Sequence, residues 1–209
     1  MQTTYFSYLI LGKKNQGKSS WFAERCKNVL AQNSKARILI IINNDPPSYD
    51  WIPRTDDFGK LAQFCNGGSG ILKFYPPDDF SNNPEVDTLV WLSSRLRHAI
   101  LGLEDVTAWL PPVPPKAAKN WIINHKNFDS HLFATAHSLI DVPSFFRRHT
   151  HRIVLFKTED DLDFDAVRTE YIRKYPSYYS KLYKNWKEVR NALPVKGYIQ
   201  PHKIFETGV

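Results

Sequence analysis

The chain has 209 residues, of which 42% are hydrophobic and 23% are charged, a balance typical of a globular protein and not of a disordered chain. Its formal charge of +7 favours a polyanionic partner such as nucleic acid or an anionic membrane face, although a merely basic surface fits equally well. No apolar run approaches the roughly 18 to 20 residues that span a bilayer, and the N-terminus lacks a secretion signal. We therefore expect a protein that is neither secreted nor membrane-spanning. Cys26 and Cys65 lack the spacing of a metal site or disulfide framework and predict reduced, intracellular thiols.

Apolar strands alternate with helical segments along the chain, which predicts an α/β fold with a mainly parallel central sheet and helices on both faces. Strands are predicted at 5–11, 37–43, 70–75, 98–104, 131–136 and 152–157. Helices are predicted near 18–31, 57–65, 85–97, 116–127 and 142–149. Clustered prolines mark the loops "NNDPPSYDWIP", "PPDDFSNNP" and "LPPVPP". We expect one domain over residues 1–209.

The C-terminal segment, about 162–209, is basic and aromatic. Pro176 divides its stretch "YIRKYPSYYSKLYKNWKEVRNAL" (171–193) into two helical pieces. Apolar residues recur there every three or four positions, at Tyr178, Leu182, Trp186 and Val189. This spacing gives one buried face, so we expect the segment to pack on the sheet.

The stretch "YLILGKKNQGKSSWF" (8–22) contains the pattern GxxxxGK[ST] directly after a predicted strand and directly before a predicted helix. Backbone N–H groups of such a turn, and the positive end of the following helix, bind phosphate. Lys18 is expected to contact the β- and γ-phosphates, and the Ser19 hydroxyl to ligate Mg²⁺. The residues predicted to bind ATP are Gly12, Lys13, Lys14, Asn15, Gln16, Gly17, Lys18, Ser19 and Ser20. The alternative is an ordinary strand-to-helix turn with a surface lysine.

Two adjacent acids follow a second apolar strand in "HAILGLEDVTAW". Ligands bind at the carboxyl ends of the strands of such sheets, so Glu104 and Asp105 are placed for catalysis. The first acid of such a pair holds Mg²⁺, which assigns Glu104 to the metal, and the second orients or deprotonates the attacking water. The order Glu–Asp reverses the commoner Asp–Glu and leaves this division open. A polar loop start or helix cap is the alternative.

These motifs, "GKKNQGKS" and "AILGLED", and the later stretch "HKNFDSHLFATAHSLIDVPSFFRRHTHRIVLF" resemble the P-loop ATPases of the FtsK–HerA superfamily. Within that superfamily the chain resembles the genome-packaging ATPases of membrane-containing viruses, with the zonula-occludens-toxin-like phage assembly proteins as near relatives. The resemblance covers about residues 5–157. It implies a RecA/FtsK-like fold, ATP and Mg²⁺, sequence-independent contact with DNA, a homo-oligomeric ring, and a capsid or membrane-vertex protein as partner.

The resemblance also implies further catalytic residues. His137 stands where the family places a polar sensor, usually Gln, at the strand end of "FATAH". Lys126 falls where relatives often place an arginine that acts on a neighbouring subunit's nucleotide. Other candidates for this finger are Arg147 and Arg148, followed by Arg95 and Arg97. A capping histidine and solvated surface arginines are the alternatives.

We therefore expect an ATPase that drives DNA into a preformed viral capsid, located in the host cytoplasm and at the packaging vertex of the virion. Basic residues within 147–152 and 173–190 are candidates for contacting DNA phosphates, and the interleaved aromatic residues for stacking on unpaired bases. An amphipathic helix that buries its aromatic residues is the alternative. Three other functions stay open: a phage assembly, secretion or conjugation-type ATPase of the same superfamily, a small-molecule (nucleoside or nucleotide) kinase, and a non-hydrolysing nucleotide-dependent interaction protein.

Overall fold

The computed structural model describes residues 5–76, 85–109, 116–158 and 160–207, and the side chains of 85–87 and 108–109 are excluded from this description. The loop "LPPVPP" and nearly all of "PPDDFSNNP" lie outside these residues. The strands are β1 (Ser7–Leu11), β2 (Arg37–Ile41), β3 (Arg54–Thr55), β4 (Gly70–Phe74), β5 (Ala99–Leu103), β6 (Ser130–Ala136), β7 (Arg152–Leu155) and β8 (Lys203–Glu206). The helices are α1 (Lys18–Gln32), α2 (Phe58–Gly67), α3 (Glu85–Ser94), α4 (Val106–Trp109), α5 (Lys116–Ile123), α6 (Ser144–Arg148), α7 (Asp165–Lys174) and α8 (Tyr179–Asn191).

The strands form one sheet in the order β3-β4-β2-β5-β6-β1-β7-β8. Neighbouring strands are parallel except β7 and β8, which are antiparallel. Strand β6 lies between β1, which leads into the Gly-Lys-Ser turn, and β5, which ends at the acid pair. The sheet order therefore brings the ends of β1, β6 and β5 together at one edge.

Helices cover both faces of the sheet, and residues along each strand alternate between two hydrophobic clusters. In β1, Leu9 and Leu11 join the larger cluster, which includes residues of α2, α3 and α5–α8, whereas Ile10 joins the cluster under α1. These side chains are almost fully buried. Burial on both faces explains why the parallel strands read as continuous apolar runs.

The structure confirms the α/β prediction and contains all six predicted strands within a few residues. The predicted helix 116–127 ends at Ile123 and is followed by a 3₁₀ helix, His125–Phe128. Two strands, β3 and β8, were not predicted. The C-terminal helices α7 and α8 are separated at Pro176, and all four apolar residues of the predicted face are buried.

The chain crosses from one face of the sheet to the other after α8. Leu182 and Trp186 of α8 belong to the larger cluster, whereas Ile199 packs against the cluster under α1. At this crossing the chain passes beside the Gly-Lys-Ser turn, where Gln200 N donates to Gln16 O over 3.1 Å. It then forms the edge strand β8. Across the described parts of the chain, every helix falls short of the length and apolarity that crossing a membrane requires.

Candidate nucleotide site

The phosphate loop, residues 12–19, is held between neighbouring strands. Gly12 N donates to Ala136 O at the end of β6, and Lys13 N donates to Lys157 O after β7. A Cβ atom on Gly12 would lie 2.6 Å from Phe156 Cβ, and Gly17 has φ 86°, so both positions suit glycine. Helix α1 begins at Lys18, so its positive end faces the loop.

Lys18 is buried at the base of this loop and links it to His137. Its Nζ donates to Gly12 O and to Lys13 O, and lies 3.3 Å from His137 Nδ1. An ammonium group only donates hydrogen bonds, so Nδ1 is the acceptor in this contact. The Nε2 atom of His137 lies 3.7 Å from Asp105 Oδ2. The predicted sensor therefore lies between the loop lysine and the second acid.

Glu104 accepts hydrogen bonds from the first turn of α1 and from the loop after β2. Its Oε1 accepts a 2.5 Å hydrogen bond from the Ser19 hydroxyl, and its Oε2 accepts a 2.8 Å hydrogen bond from the Tyr49 hydroxyl. Burial raises the pKa of Glu104 above 4.5, against the opposing effects of these hydroxyl donors and of the Lys18 charge. A raised pKa means that burial disfavours the charged form of this carboxylate. A bound cation would stabilise that charged form.

Asp105 points away from Glu104 because the chain turns sharply between the two acids. Its φ of 48° is left-handed, a conformation that Asp adopts more readily than most residues. Asp105 N donates to Thr135 Oγ1 over 2.7 Å, and Asp105 Oδ1 accepts from the Thr107 hydroxyl over 2.9 Å. The two neighbouring carboxylates thus face Ser19 and His137 respectively, and the turn gives them different surroundings.

A cavity of about 1090 Å³ opens above these groups at the carboxyl edge of the sheet. Its lining includes most of the predicted ATP-binding residues: Lys14, Asn15, Gln16, Gly17, Lys18, Ser19 and Ser20. It also includes the predicted catalytic residues Glu104, Asp105 and His137, with Thr135, Asp45 and the distant Gly197 and Tyr198. Residues from five separated stretches of sequence therefore meet in one concave site.

The donor set fits Mg²⁺, which binds few protein oxygens and leaves the remaining positions to water and phosphate. Ser19 and Glu104 supply a hydroxyl and a carboxylate that already contact each other. Groups of three or more His, Cys, Asp and Glu side chains arranged for a metal do not occur among the described residues. A site completed by protein residues alone, as in structural zinc sites, is thus not found within them.

The candidate finger residues do not line this cavity. Arg147 is buried, donates to the carbonyl oxygens of Ile140 and Val142, and has its guanidinium over the ring of Tyr175. These contacts hold it inside the fold, so its position does not support the predicted finger role. Its neighbour Arg148 is exposed. Lys126 is also exposed, but it precedes β6 and so lies at the opposite edge of the sheet from the cavity.

Arg95 and Arg97 are exposed and lie just before β5, at the same edge as Lys126. Arg95 stacks on Trp91, and Arg97 lies over Phe128 and donates to Asn127 O. Lys126, Arg95 and Arg97 therefore lie far from the chain's own phosphate loop. A role in catalysis for any of them therefore requires a second copy of the chain.

Two residues that the sequence analysis did not single out support the acid pair. Tyr49 is fully buried and donates to Glu104, and Thr135 accepts from Asp105 N and also bonds Glu104. Thr135 had a signal, because it is a polar residue within the apolar stretch "FATA" that precedes the predicted sensor. Tyr49 had none, because it lies in a proline-rich loop whose path the sequence does not reveal.

The C-terminal helices present basic residues to solvent and bury most of their aromatic ones. The exposed basic residues, here called the C-terminal basic face, are Arg173, Lys174, Lys181, Lys184, Lys187 and Arg190. The buried aromatic residues are Tyr171, Tyr175, Tyr178 and Trp186. These rings lie in the core, so they are not placed to stack on bases. The segment therefore fits the alternative of amphipathic helices that bury their aromatic residues.

No protein-family model matches the sequence, and no curated protein is significantly similar to it. Solved structures do match. The genome packaging NTPase B204 from Sulfolobus turreted icosahedral virus 2, in complex with ATP-gammaS, has a TM-score of 0.70 at 14% identity, over 97% of this chain and 92% of that one. The DNA-packaging ATPase B204 from Sulfolobus Turreted Icosahedral Virus has a TM-score of 0.67 at 14% identity, over 95% and 96%.

The cytoplasmic domain of EssC has a TM-score of 0.52 at 12% identity, over 97% of this chain but only 40% of that one. At these identities the likeness is one of fold, and it agrees with the resemblance found in the motifs. The chain thus has the α/β fold of the P-loop NTPases, with a mostly parallel eight-stranded sheet.

Proposed function

We propose that this protein is an ATP-hydrolysing DNA motor of the FtsK–HerA superfamily that packages a viral genome into a preformed capsid. The observation that carries the hydrolytic part is the meeting of Lys18, Ser19, Glu104, Asp105 and His137 around one cavity. The loop lysine, a hydroxyl–carboxylate pair and a second acid are the groups that phosphoryl transfer to water requires.

We propose different catalytic roles for the two acids. Glu104 bonds the Ser19 hydroxyl, so this pair would hold Mg²⁺, which when bound neutralises charge on the phosphate oxygens. Asp105 faces away from that pair, and its carboxylate is available to orient or deprotonate the attacking water. Although the order of the acids is reversed, we propose the roles first assigned: Glu104 for the metal and Asp105 for the water.

His137 is the proposed sensor because it contacts both ends of this arrangement. Its Nδ1 lies 3.3 Å from Lys18 Nζ, and its Nε2 lies 3.7 Å from Asp105 Oδ2. A phosphate that attracts Lys18 competes with His137 for the same ammonium group. Binding and loss of the γ-phosphate would therefore change the contacts of His137, and through β6 the subunit would respond to hydrolysis.

The DNA part of the proposal rests on the C-terminal basic face and on what the similar structures are called. Two structural neighbours are described as genome- or DNA-packaging enzymes. Exposed Lys and Arg side chains contact phosphates without reading sequence, as a motor that moves along DNA requires. With Tyr175, Tyr178 and Trp186 buried, we propose that this face follows the backbone and does not stack on bases.

The remaining parts of the proposal concern assembly. Residues 1–209 would form one domain that acts in a homo-oligomeric ring, with exposed Arg148 or Lys126 reaching a neighbouring subunit's nucleotide. The ring would dock on a capsid or membrane-vertex protein in the host cytoplasm, at the packaging vertex of the virion.

ATP hydrolysis measured with and without nucleic acid tests the proposal. Wild-type protein should release phosphate slowly alone and faster with double- or single-stranded DNA, and Lys18→Ala purified in parallel should show neither rate. ATP turnover that ignores DNA would contradict the motor, and turnover that also requires a nucleoside or nucleotide acceptor would support a kinase. ATP binding without turnover under every condition would support a nucleotide-dependent interaction protein.

A further inference from the structure

A turn near the C-terminus, residues 195–200, is built by a single side chain. The amide nitrogen of Gln200 donates to Val195 O over 3.2 Å and to Gly197 O over 3.0 Å, and its amide oxygen accepts from Val195 N over 3.2 Å. Gly197 has φ 129°, which other residues rarely adopt. This C-terminal turn is therefore a defined structure, although it contains neither helix nor strand.

The C-terminal turn is fixed against the phosphate loop by backbone contact. Gln200 N donates to Gln16 O, and a Cβ on Gly17 would lie 1.9 Å from Tyr198 O. Just beyond the turn, His202 stacks on Phe156 with ring centroids 4.8 Å apart and meets Trp21 edge-on at 6.1 Å. The turn and the loop are thus packed together beside the cavity.

The ring of Tyr198 does not pack into the core of the protein, unlike the rings of most other tyrosines near the C-terminus. The side chain is 87% exposed, although Gly197 and Tyr198 line the same cavity as the phosphate loop and the acid pair. Tyr171, Tyr175 and Tyr178, by contrast, are buried in the core. An exposed aromatic ring on a turn at a cavity rim can offer its face to a planar ligand.

The direction of a bound nucleotide follows from the order of the strands. The reacting γ-phosphate belongs beside Glu104, Asp105 and His137, at the ends of β5 and β6. Strands β7 and β8 lie on the other side of β1. A triphosphate that runs across the phosphate loop from β6 therefore directs its nucleoside toward β7 and β8, which is where the C-terminal turn lies.

We propose that Tyr198 is the platform on which the nucleobase stacks. The inference rests on the proposed nucleotide-hydrolysing function and extends it to a specific part of the substrate. Every base has a π-face, so stacking tolerates different bases, and Tyr198 contributes affinity without selecting adenine over guanine. The C-terminal turn thereby completes a substrate site whose phosphate-binding residues lie roughly 180 positions earlier in the sequence.

Calorimetric titration with ATP, GTP and inorganic tripolyphosphate tests the proposal, because the third ligand has phosphates and no base. In Tyr198→Ala, affinity for ATP and GTP should fall about ten- to hundredfold, which is the range of base–aromatic stacking, while tripolyphosphate binds as to wild type. Tyr198→Phe retains the ring and should bind all three as wild type does. The matched control is Phe164→Ala, which removes an aromatic ring that is 66% exposed and does not line the cavity.

Unchanged ATP affinity in Tyr198→Ala, or an equal loss for ATP and tripolyphosphate, would overturn the platform. The variant Lys18→Ala separates this failure from failure of the proposed function, since it should weaken all three ligands. If Lys18→Ala behaves so and Tyr198→Ala binds ATP as wild type does, the phosphate site stands and only the base platform falls. If wild type binds no ligand, or Lys18→Ala weakens none, both fall.

Discussion

The Ser19 hydroxyl donates a hydrogen bond to Glu104 Oε1, although the two residues are 85 positions apart in the sequence. This contact joins the first turn of α1 to the end of β5 across the intervening strand β6. The hydroxyl and carboxylate proposed to hold Mg²⁺ are therefore already in place. Catalysis should depend on residues that keep Glu104 in this orientation as well as on Glu104 itself.

Tyr49→Phe should slow hydrolysis about tenfold while leaving ATP affinity roughly unchanged, because it removes one of the two hydroxyl donors to Glu104. Loss of that donor also raises the pKa of Glu104 further, so the acidic limb of the rate profile should move to higher pH. Steady-state rates across pH, with separate binding titrations, measure both effects.

The control is Tyr75→Phe, which removes a hydroxyl that donates to Asn43 O and does not contact Glu104. It should leave the pH profile unchanged. A profile that shifts equally in both variants would show that Tyr49 acts only through general stability.

Glu104→Gln should raise thermal stability at neutral pH. Burial raises the pKa of Glu104 above 4.5, so its contribution to stability is greatest below 4.5 and is lost as pH rises through the folded-state pKa. Glutamine has no charge to bury and retains an oxygen acceptor. Melting curves should coincide near pH 4 and separate as pH increases, with the variant higher, while exposed Glu24→Gln follows wild type. Identical curves at every pH would contradict this account of Glu104.

His125→Asn should flatten the loss of stability in acid. Burial lowers the pKa of His125 from 6.5 to about 4, assisted by the charges of His151, Lys126 and His131. Its contribution is therefore complete above pH 6.5 and is lost as pH falls through about 4, amounting to about 3 kcal/mol. Asparagine keeps a donor for Ile122 O, the partner of Nδ1, but does not titrate.

Urea unfolding between pH 7 and pH 4 measures this effect. The matched variant His98→Asn removes an exposed histidine, at a position whose φ of 52° suits Asn, and should retain the wild-type slope. An unchanged slope in His125→Asn would assign the acid sensitivity to other groups.

Reversing charge on the C-terminal basic face should weaken DNA binding uniformly across sequences. The double variant Lys184→Glu/Lys187→Glu is expected to reduce the dependence of log affinity on log salt by about two, one for each lost phosphate contact. Salt titrations of a fluorescent duplex give this slope. The variant Lys35→Glu/Lys60→Glu makes the same change in net charge at exposed sites outside this face. Equal losses in the two variants would show that net charge, and not this face, attracts DNA.

Most of the fold could be predicted from the sequence because the parallel strands are buried on both faces of the sheet. Runs such as "RILII" in β2 need no alternation to be recognised when glycine, proline and helical patterns bound them. The strands that it missed lack this signal. β3 has two residues, Arg54 and Thr55, and β8 is a four-residue edge strand with exposed Lys203 and Glu206.

The candidate site was predicted wherever a residue's neighbours in sequence fix its place. Lys18 and Ser19 follow a glycine turn, and Glu104, Asp105 and His137 stand at strand ends. Tyr49 and Tyr198 lie on loops that bring them to the site. The course of a loop depends on packing across the whole chain, so these two residues could not be predicted from their neighbours in sequence. The burial of Arg147 could not be predicted for a similar reason, since the carbonyl group of Ile140 and the ring of Tyr175 that contact it come from other segments.

The proposed site binds ATP through the phosphate loop and hydrolyses it through Asp105, and the variant Asp105→Asn separates these two steps. Asparagine keeps the shape of the side chain and removes the base, so ATP binding and single-turnover hydrolysis should be measured in parallel on this variant and on wild type. We expect near wild-type binding and hydrolysis slowed about 10²- to 10⁴-fold, with or without DNA. Hydrolysis at the wild-type rate would show that Asp105 does not act on the attacking water.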